Sequence, residues 1–507
     1  MFLIFQALFN LFNLQTIIAL VGGTIGGIVI GALPGLSATM GVALLIPLTF
    51  TMNPAQALIM LASIYAGAVY GGSISAILIH TPGTPASAAT AIDGYAMTKK
   101  GLGGKALGVS TVSSGIGGFI SGLALLLIAP PLSKISLMFG PAEYFLLAVF
   151  GLTIIGSLVG DSVVKGLISG VIGLLVGSVG VDIISGYPRF TFGLTPLESG
   201  ISFIPALIGL FSMSQVLTLS AQNKSANAVE IGSLGNVRVT PTLKELKNLW
   251  ITILRSSIIG IIVGMLPGAG GDIASWVGYN EAKRFSKEPH KFGTGNPEGV
   301  AASEAANNAV CGGALIPLLT LGIPGSATTA VMLGGIMIQG LIPGRELFTK
   351  YADVTYMLII GFILAQLVLV IVGLAAARYL PIITRVPSKY LAPIIIALCV
   401  IGSYAINLSL FDVGVMFFFG LLGYYMKKNG FHPAPVVLGI ILGPMAEKGL
   451  RTALQLAQGN PFRYFLTSPL SDILIALILL SLLSPILMER FRRNQNIPTE
   501  TSDGMDA

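Results

Sequence analysis

The sequence predicts an all-α polytopic membrane protein of about 11–12 transmembrane helices with re-entrant or broken-helix hairpins, arranged as two inverted-topology repeats. Three observations carry this expectation. The 507 residues are 54% hydrophobic and only 10% charged, whereas soluble domains carry roughly 25% charged residues. Apolar stretches of spanning length recur along the chain. A five-residue motif, Gly31-Ala32-Leu33-Pro34-Gly35, returns as Gly264-Met265-Leu266-Pro267-Gly268, each copy behind an apolar stretch.

Composition sets the class. Mean hydropathy is +0.86, and the 64 Gly and 28 Pro suit membrane helices, where small residues allow close packing and Pro breaks are tolerated. The net charge of +7 sits in short loops between apolar runs, which reads as membrane orientation and not as a nucleic-acid surface. Cys311 and Cys399 both fall in apolar spans, and His80, His290 and His432 have no ligand spacing, so no disulfide framework, metal site or cofactor is indicated. No basic segment precedes the first apolar run, which argues against a cleaved signal peptide.

In chain order, spanning stretches lie at 14–33, 57–79, 106–129, 142–160, 163–185, 200–219, 250–266, 354–378, 391–407, 409–426 and 470–488. Shorter or interrupted ones lie at 38–50, 68–80, 299–320, 322–342 and 433–446. The polar stretch from Ser220 divides the chain into a first membrane repeat at 1–219, a connector at 220–249, a second repeat at 250–490 and a polar, disordered tail at 491–507.

The halves echo each other. After the first Leu-Pro-Gly come Ala68-Val69-Tyr70-Gly71-Gly72 and Thr81-Pro82-Gly83-Thr84. After the second come Ala309-Val310-Cys311-Gly312-Gly313 and Ile323-Pro324-Gly325-Ser326. The three offsets are 233, 241 and 242 residues, so the halves read as an internal duplication. Loop charge indicates that it is inverted. The loop from Leu48 to Gln56 has no Lys or Arg, whereas its partner has Lys283, Arg284, Lys287 and Lys291. The loop from Gly94 to Ala106 has Lys99, Lys100 and Lys105, whereas its partner balances Arg345 and Lys350 with Glu346 and Asp353. Equivalent loops thus face opposite sides.

Irregular backbone at membrane depth survives only where it is buried or lines a watery cavity. At Pro34-Gly35 the helix should stop and free carbonyls for a cation, with a half-helix from Ser37 offering N–H groups to an anion. Gly35, Ser37, Gly268 and Asp272 are therefore the residues expected at the cation or hairpin. The later elements are rich in hydroxyls: Thr81, Thr84, Ser87 and Thr90 in one, Ser326, Thr328 and Thr329 in the other. A Pro-Gly turn entering a helix aims hydroxyls and backbone N–H groups at one point, which suits a carboxylate. Asn296-Pro297-Glu298 predicts a helix start. That helix carries Glu304, Asn307 and Asn308 at i, i+3 and i+4, expected on one face toward a cavity. Thr84, Ser87, Asn307, Asn308, Ser326, Thr328 and Thr329 are the expected substrate contacts. Asp93, Asp161 and Asp182, near span ends, read as exposed caps or interfacial positions and not as coupling groups. Gly101-Leu102-Gly103-Gly104-Lys105-Ala106 lacks the spacing and the Ser/Thr of a phosphate loop, so the energy source expected is an ion gradient.

Several of these segments resemble one family. They are Gly31 to Met40, Gly71-Gly72-Ser73-Ile74-Ser75 with Thr81-Pro82-Gly83-Thr84-Pro85, Asp93-Gly94-Tyr95, Phe292 to Ala309, and Leu321-Gly322-Ile323-Pro324-Gly325-Ser326. From about Ile17 to about Arg490 the chain resembles the large membrane subunit of the tripartite tricarboxylate transporters. The resemblance implies a multi-pass protein of the bacterial inner membrane. It implies a small membrane subunit and a periplasmic solute-binding protein as partners, and a carboxylate such as citrate as cargo. It also implies a cation gradient, Na+ or H+, as the driving force. The reading is a secondary transporter, not an enzyme, with the substrate between the repeats near the midplane. A gradient-independent carboxylate channel is the alternative. An intramembrane enzyme would need a reactive pair such as Glu304 with His290, and His290 lies in a basic polar loop. A scaffold role alone would leave the intramembrane polar clusters without purpose.

Overall fold

The computed structural model describes residues 7–494 apart from 34, 136–137, 159–161, 183–184, 222–237, 269, 378, 380–381, 383–387 and 467. Pro34, Asp161, most of the polar connector and the tail from 495 onward lie outside the described residues. Helices joined by turns and short irregular segments make up the described residues, together with a short antiparallel pair, Gly180–Val181 with Pro188–Arg189. Eight helices are long and apolar enough to cross a membrane among the described residues, with five shorter apolar helices besides. The chain is an all-α polytopic membrane protein.

In the first half, α1 (Leu14–Ala32), α2 (Ala38–Leu45), α3 (Pro54–Ile79), α4 (Ala88–Lys99) and α5 (Gly103–Ile135) build the part that holds the tips. They are followed by α6 (Pro141–Leu158), α7 (Val163–Gly177) and α8 (Phe203–Ala221). The second half contains α9 (Leu243–Met265), α10 (Gly270–Phe285), α11 (Pro297–Leu321), α12 (Ala327–Ile338) and α13 (Ala352–Ala376). Then come α14 (Ser388–Asn407), α15 (Leu410–Lys428), α16 (Ala434–Leu456) and α17 (Pro469–Asn494). The stretches 57–79 and 68–80 turn out to be one uninterrupted helix, α3. Gly71 and Gly72 do not break it: α1 packs against Gly71, and the Thr84 and Ser87 side chains pack against Gly72.

The local signals behave as their chemistry dictates. α1 ends at Leu33 and α9 at Leu266, both leaving in extended conformation. Gly35 and Gly268 then turn the chain at φ +85° and +82°, a region that favours glycine. Ser37 caps α2 by accepting the Met40 N–H at 3.2 Å. Asn296 caps α11 by accepting the Glu298 N–H at 3.0 Å, with Pro297 at its first position.

The two halves match in three dimensions. α1 lies on α3 with Gly31 against the Ala68 carbonyl, and α9 lies on α11 with Gly264 against the Val310 carbonyl. Gly83 in turn presses on the Gly31 carbonyl, and Gly325 on the Gly264 carbonyl. Past the ends of α3 and α11, Thr81 N–H reaches Ser75 O at 3.4 Å and Ile323 N–H reaches Pro317 O at 3.3 Å. His80 and Gly322 occupy the same left-handed cap position. These pairs fix the second offset at 242 throughout, so Gly71 corresponds to Gly313. The 241 obtained by aligning the two Gly-Gly pairs is one residue out. What sets the register is backbone contact: Gly71 faces Ile28 O as Gly313 faces Ile261 O.

Two aspartates expected as exposed caps are buried. Asp93 takes the Tyr279 hydroxyl at 2.8 Å and the N–H groups of Gly293, Gly295 and Asn296 at 2.9, 2.7 and 2.8 Å. It thereby ties the loop before α11 to α4. Asp182 pairs with Arg451 at 2.9 Å. A carboxylate that collects three backbone N–H groups is locally indistinguishable in sequence from a surface cap.

Replacing Gly31 by Ala should destabilise the fold by about 1–3 kcal/mol, because the added methyl meets backbone and cannot be relieved by a rotamer change. Gly22→Ala, with nothing within 4 Å, should be neutral or mildly stabilising. Thermal unfolding of the detergent-purified variants checks both. Equal behaviour would contradict the packing described.

Candidate functional site

The four Pro-Gly tips meet around one cavity of about 530 Å³. Its walls are Gly35 to Thr39 and Pro82 to Ala86 from the first half, with Gly268, Gly271, Asp272, Asn307 and Ser326 to Thr328 from the second. The tips cross over. Thr39 Oγ1 lies 2.9 Å from Thr328 Oγ1, joining the first tip of one half to the second tip of the other. Reciprocally, Gly271 abuts Ala86. Position 39 corresponds to 272, and 86 to 328. The image of the Thr39–Thr328 contact therefore pairs Asp272 with Ala86, and the observed contact lies one residue away, at Gly271.

Of the expected substrate contacts, Thr84, Asn307, Ser326 and Thr328 line this cavity. Ser87 and Thr329 do not. They stand one turn behind, with Ser87 Oγ 3.0 Å from Thr84 Oγ1 and Thr329 Oγ1 3.1 Å from Ser326 Oγ. Thr329 also accepts the Ser326 N–H at 2.8 Å while Ser326 accepts the Thr329 N–H at 3.2 Å, a reciprocal cap. These two residues hold the lining hydroxyls in place.

Asn308 is a correction. Its Nδ2 donates to Gln366 Oε1 of α13 at 3.2 Å, away from the cavity. Successive residues of a helix point about 100° apart, so Asn307 and Asn308 share no face. Glu304 is likewise turned from the cavity, toward α4 and α5. Asn307 alone looks inward. It is 1% exposed, and neither its Oδ1 nor its Nδ2 has a hydrogen-bond partner among the described residues. A buried amide left unpaired costs about 1–3 kcal/mol, and a group entering the cavity would find a free donor and acceptor there. An amide offers both a donor and an acceptor, and a carboxylate or a hydroxy acid can use them.

All four residues expected at the cation or hairpin reach the cavity wall, with distinct roles. Gly35 and Gly268 make the turns. The Ser37 hydroxyl is engaged in its cap. The Asp272 carboxylate opens on the cavity, with no hydrogen bond or ion pair to it among the described residues.

Sequence reasoning missed the cationic wall. Lys427, at the end of α15, and His432, before α16, both line the cavity. Lys427 Nζ donates to Gln215 Oε1 at 3.1 Å and forms no ion pair among the described residues. The His432 Nδ1 accepts the Ala434 N–H at 3.1 Å, which directs the proton of a neutral ring to Nε2. Lys427-Lys428 reads in sequence as an orienting loop pair. The sign that it is more is the His432-Pro433-Ala434-Pro435 segment after it, an irregular helix entry at membrane depth. Phe211 and Gln215 reach the cavity through a π-helical segment in α8, Ile208–Met213. Such wide turns are frequent at functional sites. Tyr65 completes the wall, its hydroxyl 3.2 Å from Ser326 Oγ.

The cavity thus offers hydroxyls, an unpaired amide and an ammonium group to a polyanion, with one free carboxylate on another wall. Lys427→Met should weaken carboxylate binding by roughly 10- to 150-fold, the value of a charge-assisted hydrogen bond of about 1.5–3 kcal/mol. Asn307→Ala should weaken it by roughly 3- to 10-fold. Equilibrium binding to the purified protein distinguishes these from Asn308→Ala, which should leave affinity unchanged.

Comparison with known proteins agrees with this architecture. A family model, the tripartite tricarboxylate transporter TctA family, matches residues 17–438, which include all four tips and His432. The chain is 39% identical over 454 residues to an Agrobacterium vitis protein named "Uncharacterized 52.8 kDa protein in TAR-I ttuC' 3'region", with 90% of each covered. It is 37% identical over 235 residues to a second protein of that organism, "Uncharacterized protein in TAR-II ttuC' 3'region". That match takes in 46% of this chain and 97% of the relative. No solved structure matches. On the extent of the family match and the near full-length relative, this multi-pass membrane protein belongs to the tripartite tricarboxylate transporter TctA family, the large membrane subunits of such transporters.

Proposed function

We propose that the chain is the carrier of a binding-protein-dependent importer of tricarboxylates or related carboxylates in the bacterial inner membrane. A cation gradient, Na+ or H+, drives it, and a small membrane subunit and a periplasmic solute-binding protein are its partners. The observation that carries the reading is Asn307, whose amide is unpaired in a cavity walled by the broken-helix tips of both halves. Thr84, Ser326 and Thr328 would bind the substrate beside it, and Lys427 would balance its charge. Asp272, beside the Gly35 and Gly268 turns, would hold the cation where that cation is Na+.

The mechanism is alternating access, with citrate or a similar anion between the repeats. The reciprocal contacts of the tips support a two-fold relation. The unequal basic charge of equivalent loops supports an axis in the membrane plane. Movement of one repeat past the other would open and close the Thr39–Thr328 contact on alternate sides.

Uptake into proteoliposomes holding all three subunits, with carboxylate, Na+ and pH varied separately, tests the assignment. Accumulation that needs both a gradient and the binding protein is expected. Passive flux that needs neither would favour the channel. The double variant Thr39→Cys with Thr328→Cys should form a disulfide on oxidation that lowers uptake at least tenfold, reversibly with reductant. Unchanged uptake in the cross-linked protein would exclude movement at this contact.

A further inference from the structure

Glu304 is fully buried, and nothing in the substrate cavity uses it. Its carboxylate is surrounded by hydroxyls from three helices. Thr90 of α4 donates to Oε1 at 2.6 Å, and Ser114 and Ser110 of α5 donate to Oε2 at 2.8 and 3.4 Å. Ser73 of α3 joins the group through Ser110, at 2.7 Å. No Lys, Arg or His bonds to it among the described residues. Unpaired carboxylates at membrane depth are costly and are kept for function.

Several charged and titratable groups on the surrounding helices bond elsewhere, while Asp272 of α10 opens on the cavity. On α3, Tyr70 faces Glu304 but its hydroxyl is held by Thr111 at 2.7 Å. On α4, Asp93 is occupied by Tyr279 and the loop before α11. On α5, Lys105 pairs with Glu245. On α11 itself, Glu298 accepts from Thr252 and Ser286, and Cys311 lies about two turns farther on, beside Tyr65. α9 contributes Arg255, which lies over the Phe285 ring. α13 contributes Gln366, bonded to Asn308. No fixed cation balances Glu304 among the described residues.

We propose that Glu304 is the group on which the coupled proton rides. This rests on the reading of the chain as a gradient-driven transporter and specifies where its cation sits. Each neighbour is a hydroxyl, able both to donate and to accept, so both charge states can be housed without moving a heavy atom. In the charged state Thr90 donates to the carboxylate. In the neutral state the Glu304 O–H donates to Thr90 Oγ1. The Thr90 hydrogen then swings to Ser303 Oγ, 2.9 Å away, while the Ser303 hydroxyl keeps its bond to Gly299 O at 3.0 Å.

The geometry favours a proton over Na+. Oxygens 2.6 and 2.8 Å apart hold a hydrogen between them, and a metal ion would have to spread them. α5 and α11 resist spreading because Gly117 lies against the Ala305 carbonyl, backbone to backbone. Hydroxyls spaced along α4 and the turn before it lead from the cavity toward Glu304. Thr84 lines the cavity, Ser87 touches Thr84, and Thr90 follows three residues later on the same side. A proton from cavity water enters by reorientation of these hydroxyls and forms the O–H bond on a carboxylate oxygen. On release that O–H bond breaks and the proton returns to water on the other side.

The test uses the three-subunit complex in proteoliposomes, with an internal pH dye and a labelled carboxylate. Glu304→Gln copies the neutral state. It should retain carboxylate counterflow without a gradient but lose pH-driven accumulation and carboxylate-linked proton entry by at least tenfold. Accumulation and proton entry at wild-type levels in this variant would overturn the proposal, as would wild-type uptake that moves Na+ and no protons. If Glu304→Gln does not fold, Ser114→Ala decides. Losing a donor to the charged form should move the pH midpoint of coupling up by about one unit, and an unmoved midpoint would overturn the assignment. A wild-type complex that accumulates nothing under any ion gradient would instead overturn the transporter reading itself.

Discussion

Backbone-to-backbone contact at glycine is the constraint on which the rest of this structure depends. Gly31 against Ala68 and Gly264 against Val310 bring α1 onto α3 and α9 onto α11 at a separation that no side chain permits. The second tips then close on the first, Gly83 over the Gly31 carbonyl and Gly325 over the Gly264 carbonyl. Carbonyls released where each helix stops are thus covered by the tip of the next element. In a bilayer that cover matters, since an exposed peptide group there has no water to bond. The Leu-Pro-Gly motif is in this sense the means of ending a helix where its neighbour can shelter the end.

From that constraint the site follows. Each half forms a unit with two tips, and the halves meet tip to tip in crossed pairs, Thr39 with Thr328 and Gly271 with Ala86. The cavity between them is shared, so its chemistry is asymmetric although its frame is not. Thr39 in one half corresponds to Asp272 in the other, Tyr65 to Asn307, and Thr84 to Ser326. The duplicated scaffold supplies the geometry. The exchanged residues supply an amide, hydroxyls and a carboxylate, and α15 adds the ammonium of Lys427.

What could be read from sequence was the chemistry that is local. Helix ends at Leu33 and Leu266, the caps at Ser37 and Asn296, and the turns at Gly35 and Gly268 all depend on neighbours a few residues away. Eight of the eleven expected site residues line the cavity, and all but Asn307, in the middle of α11, sit at or next to a helix end. Residues whose role is set by distant partners were not legible. Asn308 was grouped with Asn307 by spacing, yet Gln366 decides its direction. Asp93 looked like a surface cap until the loop at 293–296 folded over it. The register between halves slipped by one because paired glycines align by identity, whereas the contact with Ile28 or Ile261 fixes which glycine matters. Lys427 carried an orienting signature, and only the His432-Pro433-Ala434-Pro435 segment after it marks its position.

The central claim is that a carboxylate occupies the cavity between the two sets of tips. Its most direct test is protection from alkylation by a small thiol reagent at single-cysteine positions. Cys311 and Cys399 are buried and give a low background. Thr84→Cys and Thr328→Cys should react, and a saturating tricarboxylate should slow both reactions at least tenfold. Asn308→Cys should stay unreactive with or without it. Equal reactivity at all three positions, or no protection at Thr84→Cys and Thr328→Cys by a carboxylate that the complex transports, would contradict the account.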